Sequence, residues 1–365
     1  MNQPPIISVI IPTYNAEPFL RKSLDSCLAQ TYPHLEVICV NDGSKDNSLE
    51  IIKEYVAKDK RFKLIDQPNG GYGKAMNAGF DAATGKYMTI LEPDDYLPPN
   101  AYKPMIEKAE QHNLDIVKGC VERFAIVKKE RKIVETTSFK KMHLLKVLKP
   151  SVDLGVFGEN MNTWTCLYRM DFMKAHNIRH NESPGAAYQD AGLHKLTLSY
   201  AERMMCIPDI VYCYKTDNPG SSSAAANINR QPYAHRKEYD FIEARLKETP
   251  EVWEKVRDVV LLGKIRGFFW ICHSLNAKMK YEFVDSFRKE MLTFPDSVFN
   301  HLNEREKLWV NEILLSTDIF LQTSSLLARL RLAGAFNLAP TESPARAKKK
   351  KTVRVFGVPV VKVIE

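Results

Sequence analysis

Residues 86–95 read KYMTILEPDD, in which strand-forming residues pass directly into three carboxylates, those of Glu92, Asp94 and Asp95. A buried carboxylate without a partner is energetically costly. The segment therefore predicts a core strand whose carboxyl end opens onto a site that uses negative charge. Acids at positions i and i+2 of a strand end can present their oxygens to one hard divalent cation. An ordinary turn is the alternative, since Asp after Pro is also common in turns.

Strand-like and helix-like segments alternate along the chain before this point. Each strand-like segment is a short apolar run that ends in turn residues, and each helix-like segment has apolar residues at helical spacing. The strands are predicted at 6–11, 35–40 and 62–68, and the helices at 17–30, 48–59 and 71–85. With 86–91 as the fourth strand, the pattern predicts an α/β fold with a mainly parallel sheet and helices on its faces. Ligands of such sheets bind beyond the carboxyl ends of the strands.

Polar motifs also follow the first two predicted strands. The sequence PTYN occupies 12–15, and NDGSKD occupies 41–46. Asp42 stands at the tip of the second strand, where a carboxylate can accept hydrogen bonds from a nucleotide's base or ribose. The alternative is an Asx turn, with Asp46 or Asn47 capping the next helix.

Residues 69–79, NGGYGKAMNAG, place four glycines and a lysine at the entry to a predicted helix. Glycine lets backbone amides approach a phosphate, and a helix N-terminus favours an anion. The segment matches neither the P-loop nor the dinucleotide-binding fingerprint, so a glycine-rich connection is the alternative.

Residues 188–190, YQD, precede an amphipathic segment. Asp190 has two interpretations, a helix cap or a general base held near a substrate. His194 lies one turn later, where a lone histidine is more often structural than a ligand.

The bulk composition is that of an ordinary globular protein, with 365 residues, 44% hydrophobic and 26% charged. The longest apolar runs fall short of the 18 residues that a membrane span needs. The N-terminus also lacks the features of a signal peptide. Seven scattered cysteines without a CxxC pair predict reduced core thiols of a cytosolic protein.

The net charge of +8 is concentrated in the tail, because residues 321–365 carry nine Lys/Arg and two acids. This distribution argues against a nucleic-acid-binding surface. Lys348 to Lys351, followed by an apolar pair of short strands, predict either contact with an anionic membrane or a solvated linker before a β-hairpin.

Together and in this order, the motifs resemble the family 2 glycosyltransferases, the inverting group with the GT-A fold. The similarity runs through residues 7–48, 71–97, 162–172, 188–196 and 211–223. The resemblance implies a nucleotide-sugar-binding half at 1–115 and an acceptor-binding half at 116–228. Beyond these halves, the sequence pattern predicts a helical C-terminal region at 229–330 and a basic linker with a β-hairpin at 331–365.

The resemblance also implies residue roles on the donor side. Glu92, Asp94 and Asp95 take the place of the family's D-x-D-D motif, with Asp94 binding Mg²⁺ or Mn²⁺ and Asp95 near the donor sugar. Glu92 departs from the motif by its length, which leaves its role at metal or ribose open. The remaining donor-side residues are Pro12, Thr13 and Tyr14 against the base, Asp42 hydrogen-bonding it, and Lys74 and Asn77 beside the sugar or phosphate.

On the acceptor side, Asp190 falls where the family places its catalytic base. Gln189 stands where many members have Glu, which leaves Asp190 as the carboxylate of that pair. Trp164 corresponds to the acceptor side, and residues 217–223 to the diphosphate side.

The implied function is transfer of a sugar from a nucleotide-diphosphate donor, UDP-linked by family analogy, to a glycan or lipid-linked acceptor in surface-polysaccharide synthesis. A nucleotidyltransferase is one rival, although it would normally have a glycine-rich, lysine-bearing loop after the first strand, where this chain has PTYNAEPF. A catalytically inactive sugar-nucleotide or glycan-binding protein is the other. The expected location is the cytoplasm, with peripheral contact at the inner face of the membrane, and homodimerisation through the helical region is left open.

Overall fold

The computed structural model describes residues 4–128, 130–159, 162–218 and 230–323, together with the backbone of 350–355 and 358–364. The strands are β1 Ile7–Thr13, β2 Leu35–Asp42, β3 Phe62–Gln67, β4 Tyr87–Ile90, β5 Ile116–Val127, β6 Glu130–Thr136, β7 Cys166–Arg169, β8 Met204–Lys215, β9 Lys350–Val355 and β10 Val358–Ile364. The helices are α1 Glu17–Leu28, α2 Ser48–Lys58, α3 Tyr72–Ala82, α4 Tyr102–His112, α5 Met170–Ala175, α6 Gln189–Tyr200, α7 Ala234–Lys247, α8 Pro250–Ser274, α9 Ala277–Met291, α10 Asp296–Phe299 and α11 Glu304–Leu315.

The first four strands form a parallel sheet in the order β3-β2-β1-β4. Every residue of β1, β2 and β4 is buried, which explains their nearly continuous apolar sequences. Because all four strands run in one direction, their carboxyl ends meet at one edge of the sheet. This edge carries residues 12–15, 41–46 and 92–95, as the sequence predicted.

The second half of the sheet is mixed. Strand β7 lies antiparallel to both β4 and β5, whereas β8 runs parallel to β5. The far part of β5 pairs antiparallel with β6, whose residues are all exposed. As a result, the end of β8 lies beside the acids that follow β4.

A buried apolar cluster covers one face of the sheet and continues into the helical C-terminal region. It extends from Ile10 and Ile38 in the sheet, through Leu193 of α6, to Ile313 and Phe320. A second cluster fills the other face, where α1, α2 and α4 pack. The helices α7 to α11 therefore share a core with the sheet.

Lys264 of α8 joins three helices at an ion-pair network. Its Nζ lies 2.8 Å from Asp240 Oδ1 and 2.7 Å from Glu243 Oε1, and it also pairs with Glu290 of α9. The Lys264 side chain is 1% exposed, whereas Asp240 is 58% exposed, so the network runs from the interior of the helical region to its surface.

Two predictions about cysteines and membrane spans can be compared with the structure. All seven cysteines are buried and free, as expected for core thiols. Among the helices in the described ranges, none is both long and apolar enough for a bilayer crossing.

At the C-terminus, β9 and β10 form an antiparallel pair. The predicted basic linker, including Lys348, falls within 324–349 and so lies outside the described residues.

Candidate active site

Glu92 lies at the carboxyl end of β4, held by tyrosines from two other elements. Tyr72 Oη donates to Glu92 Oε1 at 2.7 Å, and the Glu92 backbone N–H donates to Tyr212 Oη at 2.9 Å. Desolvation raises the pKa of Glu92 to about 8, with the charges of Asp94 and Asp190 adding to the shift and the Tyr72 bond opposing it. Glu92 is therefore largely protonated at neutral pH in the ligand-free protein.

Asp94 and Asp95 are positioned by the end of β8 and the residues after it. Asp94 Oδ2 accepts a hydrogen bond from Asn218 Nδ2 at 2.7 Å, and Asp95 Oδ1 accepts one from the Lys215 backbone N–H at 2.7 Å. Asp95 is almost fully buried, and its Oδ2 makes no hydrogen bond of normal geometry, although the nearby Tyr212 hydroxyl lowers the pKa of the carboxyl. Desolvation and the charge of Asp94 raise the pKa of Asp95 well above its ordinary value.

Asp190 occupies the first turn of α6, next to these acids. Its Oδ1 accepts a hydrogen bond from the Ala191 backbone N–H at 2.9 Å. The residue is open to solvent, yet enough protein surrounds the carboxyl for desolvation to raise its pKa, which indicates a concave surface. Tyr188 precedes the helix with φ of +69°, a strained conformation for an aromatic residue. The charge of Asp190 adds to the raised pKa of Glu92, so the two carboxyls lie within electrostatic range of each other.

Asp42 is buried at the end of β2, where its carboxylate accepts hydrogen bonds from three donors within the protein. Gly70 and Gly71 donate their backbone N–H groups at 2.9 Å each, and Gln67 donates its Nε2 at 2.8 Å. These bonds fix the glycine-rich connection before α3. Asp42 thus fixes the glycine-rich loop that was predicted to approach a phosphate, and its bonds to that loop were not predicted from the sequence.

The other residues predicted near the base lie at the end of β1. Pro12 and Thr13 are buried there, while Tyr14 is 48% exposed. Lys74 is exposed on the first turn of α3, with its stem against Gly70.

Asn77 of α3, predicted beside the donor, uses both ends of its amide to hold residues 180–182. Its Nδ2 donates to the His180 carbonyl at 3.0 Å and to Glu182 Oε1 at 2.9 Å, and its Oδ1 accepts from the His180 N–H at 3.0 Å. A methyl group at Gly73, one turn earlier, would lie 1.9 Å from the Asn181 carbonyl oxygen. The segment 180–182 therefore packs directly on α3, and Asn77 shapes the cleft through it.

Two residues were predicted on the acceptor side. Trp164 packs between aromatic rings of β8, with centroid distances of 4.1 Å to Tyr212 and 5.3 Å to Tyr214. Gln189 is buried, and its Nε2 donates to Ser183 Oγ at 3.0 Å. Residues 219–223 of the predicted diphosphate-side loop lie outside the described residues.

The cleft acids fit a divalent cation by their charge. The buried Oδ2 of Asp95 makes no hydrogen bond of normal geometry, and crowding of like charges contributes to the raised pKa values of Glu92 and Asp95, so a cation would relieve both conditions. Across the described ranges, three acids converge tightly only at Asp240, Glu243 and Glu290, where Lys264 already supplies the positive charge. A metal in the cleft would thus have few protein ligands and would depend on substrate oxygens, as Mg²⁺ commonly does.

Comparisons with known proteins address the family and the fold. A family model described as glycosyl transferase family 2 matches residues 8–188. An uncharacterized glycosyltransferase of Haemophilus influenzae is 34% identical over 182 residues, which are 49% of this chain and 69% of that protein. The uncharacterized glycosyltransferase EpsJ of Bacillus subtilis is 33% identical over 220 residues, which are 60% of this chain and 62% of EpsJ. The chain thus spans less than two thirds of EpsJ's length.

A solved structure supports the fold. The crystal structure of S. aureus TarS 1-349 in complex with UDP-GlcNAc superposes with a TM-score of 0.69 at 17% identity, covering 96% of this chain and 95% of that one. This likeness confirms the predicted GT-A-like architecture, and the relatives confirm the family that the motifs indicated. The chain belongs to glycosyl transferase family 2.

Proposed function

We propose that this glycosyltransferase moves a sugar from a UDP-sugar to a hydroxyl of a glycan or lipid-linked acceptor, with inversion, in the synthesis of a surface polysaccharide. The observation that supports the proposal is electrostatic: besides desolvation, the charges of both Asp94 and Asp190 raise the pKa of Glu92, and those of Asp94 and Glu92 raise the pKa of Asp95. The similar fold of TarS, solved with UDP-GlcNAc, supports the choice of UDP.

The donor lies against the edge of the parallel sheet in this proposal. Pro12, Thr13 and Tyr14 contact the base, and Asp42 acts at least partly through the loop amides that it fixes. Lys74 is exposed beside that loop and is free to approach a phosphate. Asn77 contributes through the segment 180–182.

The acids that follow β4 hold the diphosphate end and the sugar. Asp94, with Asp95 behind it, would hold Mg²⁺ or Mn²⁺, which when bound offsets the negative charge of the departing diphosphate. A cation beside Asp94 would lower the raised pKa of Glu92, so in the donor complex Glu92 would present a carboxylate, with one oxygen held by Tyr72 and the other open to the donor or the metal.

Asp190 acts on the acceptor. The acceptor hydroxyl oxygen attacks the anomeric carbon from the face opposite the leaving group while its proton passes to an oxygen of Asp190. The bond between the anomeric carbon and the diphosphate oxygen breaks, and its electron pair leaves with UDP. The raised pKa of Asp190 brings its basicity closer to neutral pH, where a general base is most effective.

A thermal-shift experiment tests the donor and the metal together. UDP, GDP, CDP and dTDP are added with and without Mn²⁺ to the wild type, to Asp94→Ala, and to Asp318→Ala as an exposed control in the helical region. A ligand at about 100 times its Kd adds about 2.7 kcal/mol to folding stability. We expect a shift with UDP that requires Mn²⁺ and is lost in Asp94→Ala alone. If another nucleotide raises the melting temperature, that nucleotide takes the place of UDP in the proposal. If none of the four raises it, the proposed transferase function is refuted.

The reaction type is tested by the products. Incubation with UDP-GlcNAc should release UDP and the sugar, whereas a nucleotidyltransferase would split or form a phosphoanhydride bond. An inactive binder would show the thermal shift without release of UDP.

We also propose that the basic tail, including Lys348 to Lys351, contacts an anionic membrane and brings the enzyme to a lipid-linked acceptor. Each basic residue near such a surface contributes about 1 kcal/mol. Co-sedimentation with phosphatidylserine vesicles should therefore fall steeply when the four lysines are replaced by serine, and equal binding would contradict this part of the proposal.

A further inference from the structure

Glu238 of α7 is a buried acid in contact with both sides of the cleft near Asp190. It is 1% exposed, and its Oε2 accepts a hydrogen bond from Asn181 Nδ2 at 2.9 Å. Its Oε1 faces Gly192 in the first turns of α6, where it makes no hydrogen bond of normal geometry, although the nearby Gly192 backbone N–H lowers the pKa of the carboxyl. A methyl group at Gly192 would lie 2.0 Å from that oxygen, so the close approach depends on glycine.

Glu238 contacts the segment 180–182 and the helix that carries Asp190. Asn181 belongs to the segment 180–182, whose other side is held by Asn77 of α3. Gly192 lies two residues after Asp190 on the same helix. The Glu238 side chain thus connects α3, through residues 180–182, to α6, which carries Asp190.

The electrostatic surroundings of Glu238 are mostly acidic or neutral. Burial raises its pKa to about 7, the Asn181 bond opposes the shift, and the charge of Asp190 adds to it. The phenol of Tyr239, beside it on α7, has its pKa raised by burial and by both carboxylates. Within the described part of the chain, no lysine, arginine or histidine forms an ion pair with Glu238. A buried acid kept without a counter-ion needs an explanation beyond stability.

We propose that Glu238 is a positioning residue for Asp190, holding the first turns of α6 against residues 180–182 and supplying negative charge beside the general base. The proposal rests on the proposed function, because it assigns Glu238 a role only through Asp190. When Glu238 ionises near neutral pH, its charge raises the proton affinity of Asp190 and makes it a stronger base. The rate of transfer should therefore rise as Glu238 ionises.

The first test is the pH profile of Glu238→Gln, with Glu248→Gln as a matched control, since Glu248 is an exposed glutamate just past the end of the same helix. The measurement is UDP release without added acceptor, from whichever of UDP-GlcNAc, UDP-glucose and UDP-galactose the wild type hydrolyses. We expect Glu238→Gln to lower kcat about tenfold, within the range known for loss of base strength and alignment. It should leave the KM for the donor unchanged and abolish the rise in kcat near pH 7. A profile that matches the wild type would overturn the proposal.

The second test uses the contact with Gly192. In Gly192→Ala the new methyl group displaces the Glu238 carboxyl, so kcat should fall about as far as in Glu238→Ala. In the double variant the clash is gone, and kcat should equal that of Glu238→Ala alone. Strictly additive losses would show that the two residues act separately and would contradict the proposal.

Asp190→Asn separates failure of this inference from failure of the proposed function. If Asp190→Asn keeps wild-type hydrolysis, Asp190 is not the base, and both proposals fall. If Asp190→Asn is inactive but Glu238→Gln behaves as the wild type, only the inference falls. A further drop on adding Glu238→Gln to the Asp190→Asn variant would also contradict it, because Glu238 would then act independently of Asp190.

Discussion

Replacing Glu92 by Gln should stabilise the ligand-free protein in a strongly pH-dependent way. Burial and neighbouring acids raise the pKa of Glu92 from an ordinary value of 4.5 to about 8. At 1.36 kcal/mol for each pKa unit, this shift lowers the folding stability by about 5 kcal/mol above pH 8, where Glu92 is ionised in both the folded and the unfolded state. At pH 7 the folded protein still holds most of the proton, and the loss of stability is about 3 kcal/mol. Glutamine keeps an oxygen acceptor for Tyr72 and removes the charge.

The sign of this effect follows from proton binding. Between pH 4.5 and pH 8 the folded wild type holds a proton on Glu92 that the unfolded chain has lost, so this group lowers stability as pH rises. The Glu92→Gln variant has no titrating group at this position. The difference in unfolding free energy between Glu92→Gln and wild type should therefore increase by about 1.4 kcal/mol per pH unit in that window and then level off.

Urea unfolding across the same pH window measures the difference directly. Glu107→Gln on α4 is the control for removing one glutamate charge, because Glu107 is exposed. A stability gain that does not change with pH would refute the reasoning, since it would mean that Glu92 does not carry a desolvated charge. Glu92→Gln should also bind UDP with Mn²⁺ more weakly than the wild type does. In that case, the stability that Glu92 costs the ligand-free protein would follow from its role in donor binding.

Three further substitutions test the site and its support. Asp190→Asn should lower UDP release by about 10²–10⁴-fold with donor affinity by calorimetry unchanged, and weakened donor binding would speak against a base. Lys264→Met should lose about 1–3 kcal/mol in urea unfolding, because the buried ammonium and its hydrogen bonds are removed while Glu243 keeps Lys247 and Glu290 keeps Arg236. Lys289→Met, in an exposed pair, should lose under about 1 kcal/mol, and similar losses would count against a stabilising role of Lys264. Gly73→Ala should lose about 1–3 kcal/mol by crowding the segment that packs on α3, while Gly158→Ala, with open space around it, should lose less, and a reversed order would contradict the contact.

The sequence predicted the parallel half of the sheet because fully buried strands leave long apolar runs with turn residues at their ends. It also predicted that the acids of 92–95 lie at the carboxyl edge, since parallel strands all end on one side. The antiparallel placement of β7 between β4 and β5 was not predicted, because a strand of four residues pairs through backbone atoms and leaves little pattern.

The roles of individual polar side chains were harder to predict than the fold. Asp42 and Asn77 were expected to face a ligand, and the structure shows both engaged with the protein's own backbone. Residue type alone does not say which donors a carboxylate or amide meets, because those donors come from distant segments. Glu238 left no signal in the sequence, since it is one of two glutamates of an amphipathic helix, and its burial against Gly192 is a tertiary property.

The shared core between the sheet and the helical region limits how this enzyme can be recombined with relatives. A chain truncated after β8 would expose the apolar face of α6 and remove the contacts of Glu238, so the segment before α7 is not a minimal catalytic unit. A chimera that exchanges the helical region to alter acceptor choice must therefore carry α6 and residues 180–182 with it. The productive crossover point lies before His180, within the acceptor-side half, and not at the start of the helices.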